Sequence, residues 1–244
     1  YQLKGVTLES PCLLSANYYD HYEFLGKNGI PNDMTTVYVE ETGYGKRNAG
    51  GYKGQLTGIW TSLLSARPGT FTYSVMYYDD RYRIIQQRGN NELGGTEIVH
   101  TAYNFSGNPL EEKRIHTFPG TGPTVELHRH TYDHANRLLK TSYQLNDNTP
   151  IVLVDNVYDE LRTDYAYNLR SWIKGINGPL FNQTLNYQET LEGTTPCYNG
   201  NISRMCWRSG ENGMATVIDP QEKGYSFTYD GLSRLKAVSY THLR

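Results

Sequence analysis

The sequence predicts an all-β protein, an open, twisted antiparallel sheet of consecutive hairpins. Three observations predict it. Among 244 residues there are 22 Tyr, 24 Gly and 19 Asn; Tyr favours strands, and Gly and Asn favour tight turns. Strand-like runs end again and again in Tyr followed by Asp or Asn. Nothing between residues 71 and 175 carries a strong helical period. Composition also excludes several function classes. With 23 basic and 25 acidic side chains the net charge is -2, which gives no electrostatic footprint for nucleic acid or an anionic membrane surface. No apolar run approaches the ~20 residues that span a bilayer.

Residues 1–74 read as an irregular, Gly-rich β region. Gly43, Gly45, Gly50, Gly51, Gly54 and Gly58 form a long turn-rich connection. Val37-Tyr38-Val39 before it and residues 55–64 after it are candidate strands. Tyr19-Asp20-His21-Tyr22 is a degraded copy of the motif that follows. Residues 75–244 form the repeat region, and with no Pro/Ser linker or charge block between them the two stretches are expected to be one continuous sheet.

The repeats align on Tyr. The copies are Tyr78-Asp79-Asp80-Arg81-Tyr82-Arg83-Ile84, Tyr103-Asn104-Phe105-Ser106-Gly107-Asn108, Tyr132-Asp133-His134-Ala135-Asn136-Arg137-Leu138, Tyr158-Asp159-Glu160-Leu161, Tyr167-Asn168-Leu169-Arg170, Tyr198-Asn199-Gly200-Asn201-Ile202 and Tyr229-Asp230-Gly231-Leu232-Ser233-Arg234-Leu235. Their spacing is loose, which suits hairpins with variable far loops better than a strict solenoid. A strand ends in Tyr. Asp or Asn follows, and its side chain can accept backbone N–H bonds two residues on. A Gly or Asn then permits the left-handed conformation, and Arg-Leu opens the next strand. The predicted structural positions are therefore Tyr78, Asp79, Tyr103, Asn104, Gly107, Tyr132, Asp133, Asn136, Tyr158, Asp159, Tyr198, Asn199, Gly200, Tyr229 and Asp230. Tyr78, Tyr103, Tyr132, Tyr158, Tyr198 and Tyr229, at equivalent positions, would stack as a ladder between neighbouring hairpins.

These copies resemble the YD repeats of the Rhs family, whose relatives include teneurins and the shells of insecticidal toxin complexes. The pattern Tyr-Asp-x-x-Gly-Arg-Leu is met most closely at Tyr132-Asp133-x-x-Asn136-Arg137-Leu138 and Tyr103-Asn104-x-x-Gly107-Asn108-x-Leu110. The flavour is similar to that of large Rhs-type cell-surface proteins of gut Bacteroidetes. The resemblance covers residues 75–240 and implies hairpins that add side by side into a spiral shell, secreted or at the cell surface, enclosing a C-terminal toxin or serving adhesion. It also implies a carbohydrate-binding surface of exposed tyrosines as the alternative function. The Asp-Pro-x-Gly motif of toxin-bearing relatives is not met, since Asp219-Pro220-Gln221-Glu222 lacks the Gly.

No catalytic constellation is legible. His116, His128, His130 and His134 cluster in sequence, and read better as hairpin-face side chains than as metal ligands. Gly43-Tyr44-Gly45-Lys46 lacks the Ser/Thr and the following helix of a phosphate loop. Glu40-Glu41 and Glu111-Glu112 are adjacent and so point to opposite strand faces. Cys12, Cys197 and Cys206 are an odd number, and either Cys197 and Cys206 pair across a hairpin or all three are semi-buried thiols. The expectation is a structural, non-enzymatic protein with no cofactor and no metal. Tyr1 is not an initiator Met and Arg244 follows directly on a strand-like stretch, so we read the chain as a piece of something longer. Its partners would be the remainder of its own chain, a second copy through a sheet edge, or glycans.

Overall fold

The computed structural model describes residues 2–3, 6–7, 13–50, 52–64, 70–146, 151–153, 156–158, 160–191, 193–209 and 222–243; of 2–3, 6–7, 152–153, 156–158, 222 and 241–243 only the backbone is described. In chain order the strands are β1 (Gln2–Leu3), β2 (Val6–Thr7), β3 (Ser15–Tyr19), β4 (Leu56–Ser62), β5 (Phe71–Tyr78), β6 (Ile84–Asn90), β7 (Thr96–Tyr103), β8 (Pro109–His116), β9 (Thr124–Tyr132), β10 (Leu138–Leu145), β11 (Ile151–Leu153), β12 (Asn156–Tyr158), β13 (Leu161–Tyr167), β14 (Ile173–Asn177), β15 (Phe181–Asn186), β16 (Arg204–Ser209), β17 (Glu222–Tyr229) and β18 (Leu235–Leu243). Fourteen of them form one open antiparallel sheet in which each strand lies beside its chain neighbour, with β3 at one edge and β18 at the other. The pairs β1–β2 and β11–β12 stand outside it. Among the described residues there is no helix.

The predicted turn grammar is what closes the hairpins. Tyr78, Tyr103, Tyr132, Tyr167 and Tyr229 each end a strand. The next residue donates its backbone N–H across the turn: Asp79 to Arg83, Asn104 to Asn108, Asp133 to Arg137, Asn168 to Trp172 and Asp230 to Arg234, all at 2.9–3.0 Å. The fourth residue after Tyr is left-handed in every case, with φ of 60° at Tyr82, 90° at Gly107, 60° at Asn136, 63° at Ser171 and 60° at Ser233. This is a hairpin loop with a left-handed bulge residue, and the strand register shifts beside the Tyr at Tyr77/Tyr78, Ala102/Tyr103, Ala166/Tyr167 and Thr228/Tyr229.

The degraded copy at Tyr19 follows the same rule through a split turn. The register shifts between Tyr18 and Tyr19. Asp20 donates to Gln55 O at 3.1 Å, and Gly54, at φ 80°, takes the left-handed slot before Gln55-Leu56. Residues 21–53 are an insertion between the two halves of one turn.

The described residues fall into two compact units, Tyr1–Glu126 and Leu127–Arg244. In the first, the insertion covers one sheet face and makes the core. Phe24 and Ile30 from the insertion bury against Tyr73, Val75 and Tyr77, which alternate along one face of β5. Gly58 lets this happen, because a Cβ there would lie 2.4 Å from the Phe24 ring. The second unit is built differently: cross-strand aromatic pairs such as Trp207–Tyr225 (5.0 Å) and Tyr225–Tyr240 (5.2 Å) carry much of its packing.

The left-handed slot generates a test. Gly107→Ala meets no steric neighbour, so it should destabilise by about 1 kcal/mol through backbone conformation alone. Tyr82→Gly should be neutral or stabilising, because it relieves the same conformation in a residue that carries a Cβ. Urea midpoints of the two variants check both signs.

Candidate functional site

The repeat positions meet in a seam between hairpins. Within each turn the acidic side chain does two jobs. Asp79 Oδ1 accepts from the backbone N–H groups of Arg81 and Arg83, both at 2.9 Å, and Oδ2 accepts from Arg83 Nε at 2.7 Å. Asp133 does the same for Ala135, Arg137 and the Arg137 guanidinium, and Asp230 for Leu232, Arg234 and the Arg234 guanidinium. Asn168 and Asn104 keep the backbone part of the pattern. Burial raises the Asp79 carboxyl, but the Arg83 and Arg81 N–H groups and the Arg83 charge outweigh it and its pKa falls. Asp133 and Asp230 are likewise lowered, chiefly by the N–H groups of Arg137 and Arg234.

The arginine then serves the next repeat. Arg83 lies over the Tyr103 ring at 4.8 Å and donates to Asn104 O at 2.9 Å. Arg137 lies over the Tyr167 ring at 5.1 Å and donates to Asn168 O at 3.2 Å. The tyrosine hydroxyl returns a bond to a carbonyl at the start of the preceding hairpin's second strand or, for Tyr229, two residues before it. Tyr78 donates to Leu56 O (2.6 Å), Tyr103 to Ile84 O (2.9 Å), Tyr187 to Ile173 O (2.8 Å) and Tyr229 to Ile202 O (2.9 Å). Burial raises the pKa of these four phenols, as it does that of Tyr132.

Two predicted ladder positions lie elsewhere. Tyr158 ends β12, which pairs with β11 in the separate two-stranded sheet of the β10–β13 connection; Asp159 lies outside the described residues. Tyr198 ends no strand. It lies in the β15–β16 connection and is 65% exposed, while Asn199 accepts from Asn201 N at 3.2 Å and donates to Ser233 Oγ at 2.8 Å. Tyr187, just past β15, takes the ladder position instead, and Gly200 (φ 99°) with Asn201-Ile202 supplies the far half of the turn. The reason is again a split turn: spacing along the chain pairs Tyr198 with Gly200, whereas strand pairing joins Asn186 to Arg204 and so selects Tyr187. The recurrent Arg slot was visible in the sequence, but its reach into the next repeat depends on strand order.

A second cluster holds the insertion on its sheet face. Gln86 is 1% exposed; its amide donates to Val39 O (2.8 Å) and accepts from Val39 N (3.1 Å), as a strand neighbour would. Arg88 donates to Met34 O, Tyr77 to Thr36 O and Tyr22 to Met76 O. Lys113 pairs with Glu41 at 2.7 Å, and Tyr44 bonds Glu111. Arg47 lies over the rings of both Tyr22 and Tyr77. His100 is 3% exposed and its Nδ1 accepts from Gln86 Nε2 at 3.1 Å. Burial, with Arg88 and Lys113 nearby, pushes its pKa down to about 4 against the opposing pull of Glu41.

The remaining candidates do not assemble. Among the described residues no three His, Cys, Asp or Glu side chains converge on a metal-sized site. No disulfide joins Cys197 and Cys206, and Cys12 lies outside the described residues. Glu111 and Glu112 have different partners, Tyr44 and Arg114. Lys46 pairs with Glu40 in an exposed turn of the insertion with no helix behind it. A shallow groove on the first unit is lined by Thr72, Ser74, Gln87, Glu92 and Glu97, but there no hydroxyl bonds a histidine or carboxylate among the described residues. Among the described residues no helix is long and apolar enough to cross a membrane. No protein-family model matches the chain, and no curated protein is significantly similar to it.

Two tests follow from this geometry. Tyr103→Phe deletes one half-buried inter-hairpin bond and should destabilise by about 1 kcal/mol. Asp79→Ala strips two N–H groups and leaves Arg83 uncompensated at a site where the carboxylate is 7% exposed, so a loss of about 2–3 kcal/mol is expected. The same change at Asp230, where the pair is far more open, should cost much less. Denaturant titration gives the ranking.

His100 sets a pH dependence. Its folded pKa is depressed below the ordinary 6.5, so the unfolded chain binds the extra proton first and stability falls as pH drops from 6.5 to about 4. The loss should be on the order of 2–3 kcal/mol. Below that window the lowered aspartates add a second loss as they protonate. His100→Gln, which never charges, should flatten the first window and leave the second. Thermal melts across pH separate the two.

Proposed function

We propose that the chain is a structural segment of a repeat-built wall of the Rhs, or YD-repeat, type, secreted or displayed at a cell surface, and that it catalyses no reaction. One observation carries this reading. Tyr78, Tyr103, Tyr187 and Tyr229 spend their hydroxyls on carbonyls of the preceding hairpin, and arginines cover the rings of Tyr103 and Tyr167. The repeated chemistry is used to join hairpins and is not displayed towards a ligand. Such a wall, within a longer protein, is suited to enclosing a toxin segment.

A second reading, an adhesive carbohydrate-binding surface, draws on different aromatic residues. Tyr82 (53%), Phe105 (86%) and Tyr198 (65%) are exposed in connections that the repeat motifs form, and flat aromatic faces suit the C–H faces of sugars. A glycan array on the purified chain distinguishes the two. The wall reading expects no specific binding, together with no turnover of ester, glycoside or peptide substrates. Glycan binding abolished by Tyr198→Ala or Phe105→Ala would favour the adhesive surface, and turnover lost on a point mutation would sink the non-enzymatic reading.

A further inference from the structure

Two sets of contacts hold the insertion on the sheet, and a proton acts on them differently. Residues 21–32 rest on apolar packing, with Phe24 and Ile30 buried against Tyr73, Val75 and Tyr77. Residues 33–45 rest on polar contacts: Gln86 with Val39, Arg88 with Met34 O, Tyr77 with Thr36 O, Lys113 with Glu41 and Glu111 with Tyr44. His100 sits within this second set and is 3% exposed. Groups face it from every side. Gln86 and Arg88 come from β6, Lys113 and Glu111 from β8, and Glu41 and Tyr44 from the insertion.

The hydrogen-bond directions hold His100 neutral. Val39 N–H donates to Gln86 Oε1 at 3.1 Å and so identifies the oxygen end of that amide. Gln86 Nε2 carries two hydrogens. One goes to Val39 O at 2.8 Å and the other to His100 Nδ1 at 3.1 Å. Nδ1 therefore accepts, and the ring proton is on Nε2. A second ring proton would set Nδ1–H against the Gln86 amide hydrogen. Reversing the Gln86 amide would offer its oxygen to His100, but both bonds to Val39 would be lost. Its NH2 would then face Val39 N–H and the Arg88 guanidinium, which donates to Oε1 at 3.4 Å. Charge acts in the same direction. Arg88 and Lys113 oppose a cation here, and Glu41 is already bonded to Lys113 at 2.7 Å.

We propose that His100 is a proton-sensitive latch: protonation of its ring parts Gln86 from Val39 and releases residues 33–45 from the sheet, while residues 21–32 stay packed on it. Release takes the ring charge into water and uncovers Arg88 and His100 as neighbouring cations. The closed form binds the second ring proton only near pH 4, the released form at the ordinary 6.5, so release becomes easier as pH falls through that window. Glu41 is not the trigger, because its bond to Lys113 holds its pKa below the ordinary 4.5 and keeps it charged in the window. The latch goes beyond the wall reading and does not depend on it.

Amide hydrogen exchange of the whole chain, followed by NMR and corrected for the intrinsic pH dependence of exchange, tests it. Val39, whose N–H is held by Gln86, should lose protection about thirtyfold between pH 7.5 and pH 5. Gly26, whose N–H is held by Ile30 O, and the paired amides of β5 and β6 should keep theirs. In His100→Gln an amide oxygen can accept from Gln86 and never charges, so Val39 should stay protected at pH 5. Circular dichroism shows whether this variant is folded. If it is not, the wild-type titration decides, because the His100 ring and the Val39 amide should shift with one common midpoint. Four results would each overturn the proposal: undiminished Val39 protection at pH 5, loss of protection at Val39 together with β5 and β6, the same loss in folded His100→Gln, or separate midpoints for the ring and the amide.

Discussion

The structure depends on an arginine shared between two turns. In a lone hairpin the motif's Asp–Arg pair would be a partly solvated ion pair of small worth. Here Asp79 holds the Arg83 guanidinium so that its far side covers Tyr103 and bonds Asn104 O. The Tyr103 hydroxyl then returns a bond to the residue directly after that arginine. Arg137 couples its turn to Tyr167 and Asn168 in the same way. A two-stranded hairpin is marginal in water, and coupling of this kind is what lets hairpins add without a thick core beneath them.

The same constraint explains where the chain tolerates long insertions. The coupling needs a Tyr at the end of one strand and a left-handed residue shortly before the next, but it sets no distance between them. Residues 21–53 enter the first turn between Asp20 and Gly54, and the β15–β16 turn opens between Tyr187 and Gly200, yet Leu56 O and Ile202 O still receive the hydroxyls of Tyr78 and Tyr229. Loop closure grows only slowly more costly with length, so the split turn remains a turn.

In the first unit the insertion is a second layer. Packing needs two layers to bury an apolar face, and Phe24 and Ile30 supply the apolar side for Tyr73, Val75 and Tyr77. Polar side chains then fix the insertion's position. Gln86 stands in for a strand neighbour to Val39, and Arg88 and Tyr77 donate to the backbone carbonyls of Met34 and Thr36 in the insertion. This places a neutral histidine, His100, under a cover whose stability depends on its staying neutral.

Fold class, turn chemistry and the left-handed slot were determined by the sequence alone, because each is local. An Asp two residues before an N–H, Gly107 and Asn136 four residues after their Tyr, and the alternation of Arg234-Leu235-Lys236-Ala237 act over one turn or one strand, while Tyr82, Ser171 and Ser233 take the same left-handed slot without being Gly or Asn. Tyr78, Tyr103, Tyr132 and Tyr229 each end a strand. Tertiary structure decided what joins distant segments. Tyr158 and Tyr198 carry the same local motif as the others, but strand pairing puts β12 outside the main sheet and gives the place of Tyr198 to Tyr187, which lacks the Asp. The partnership of Gln86 with Val39 and the reach of Arg83 to Asn104 span residues that no short-range pattern links. They exist because the sheet brings those backbones within hydrogen-bonding distance, and only the order of its strands determines which.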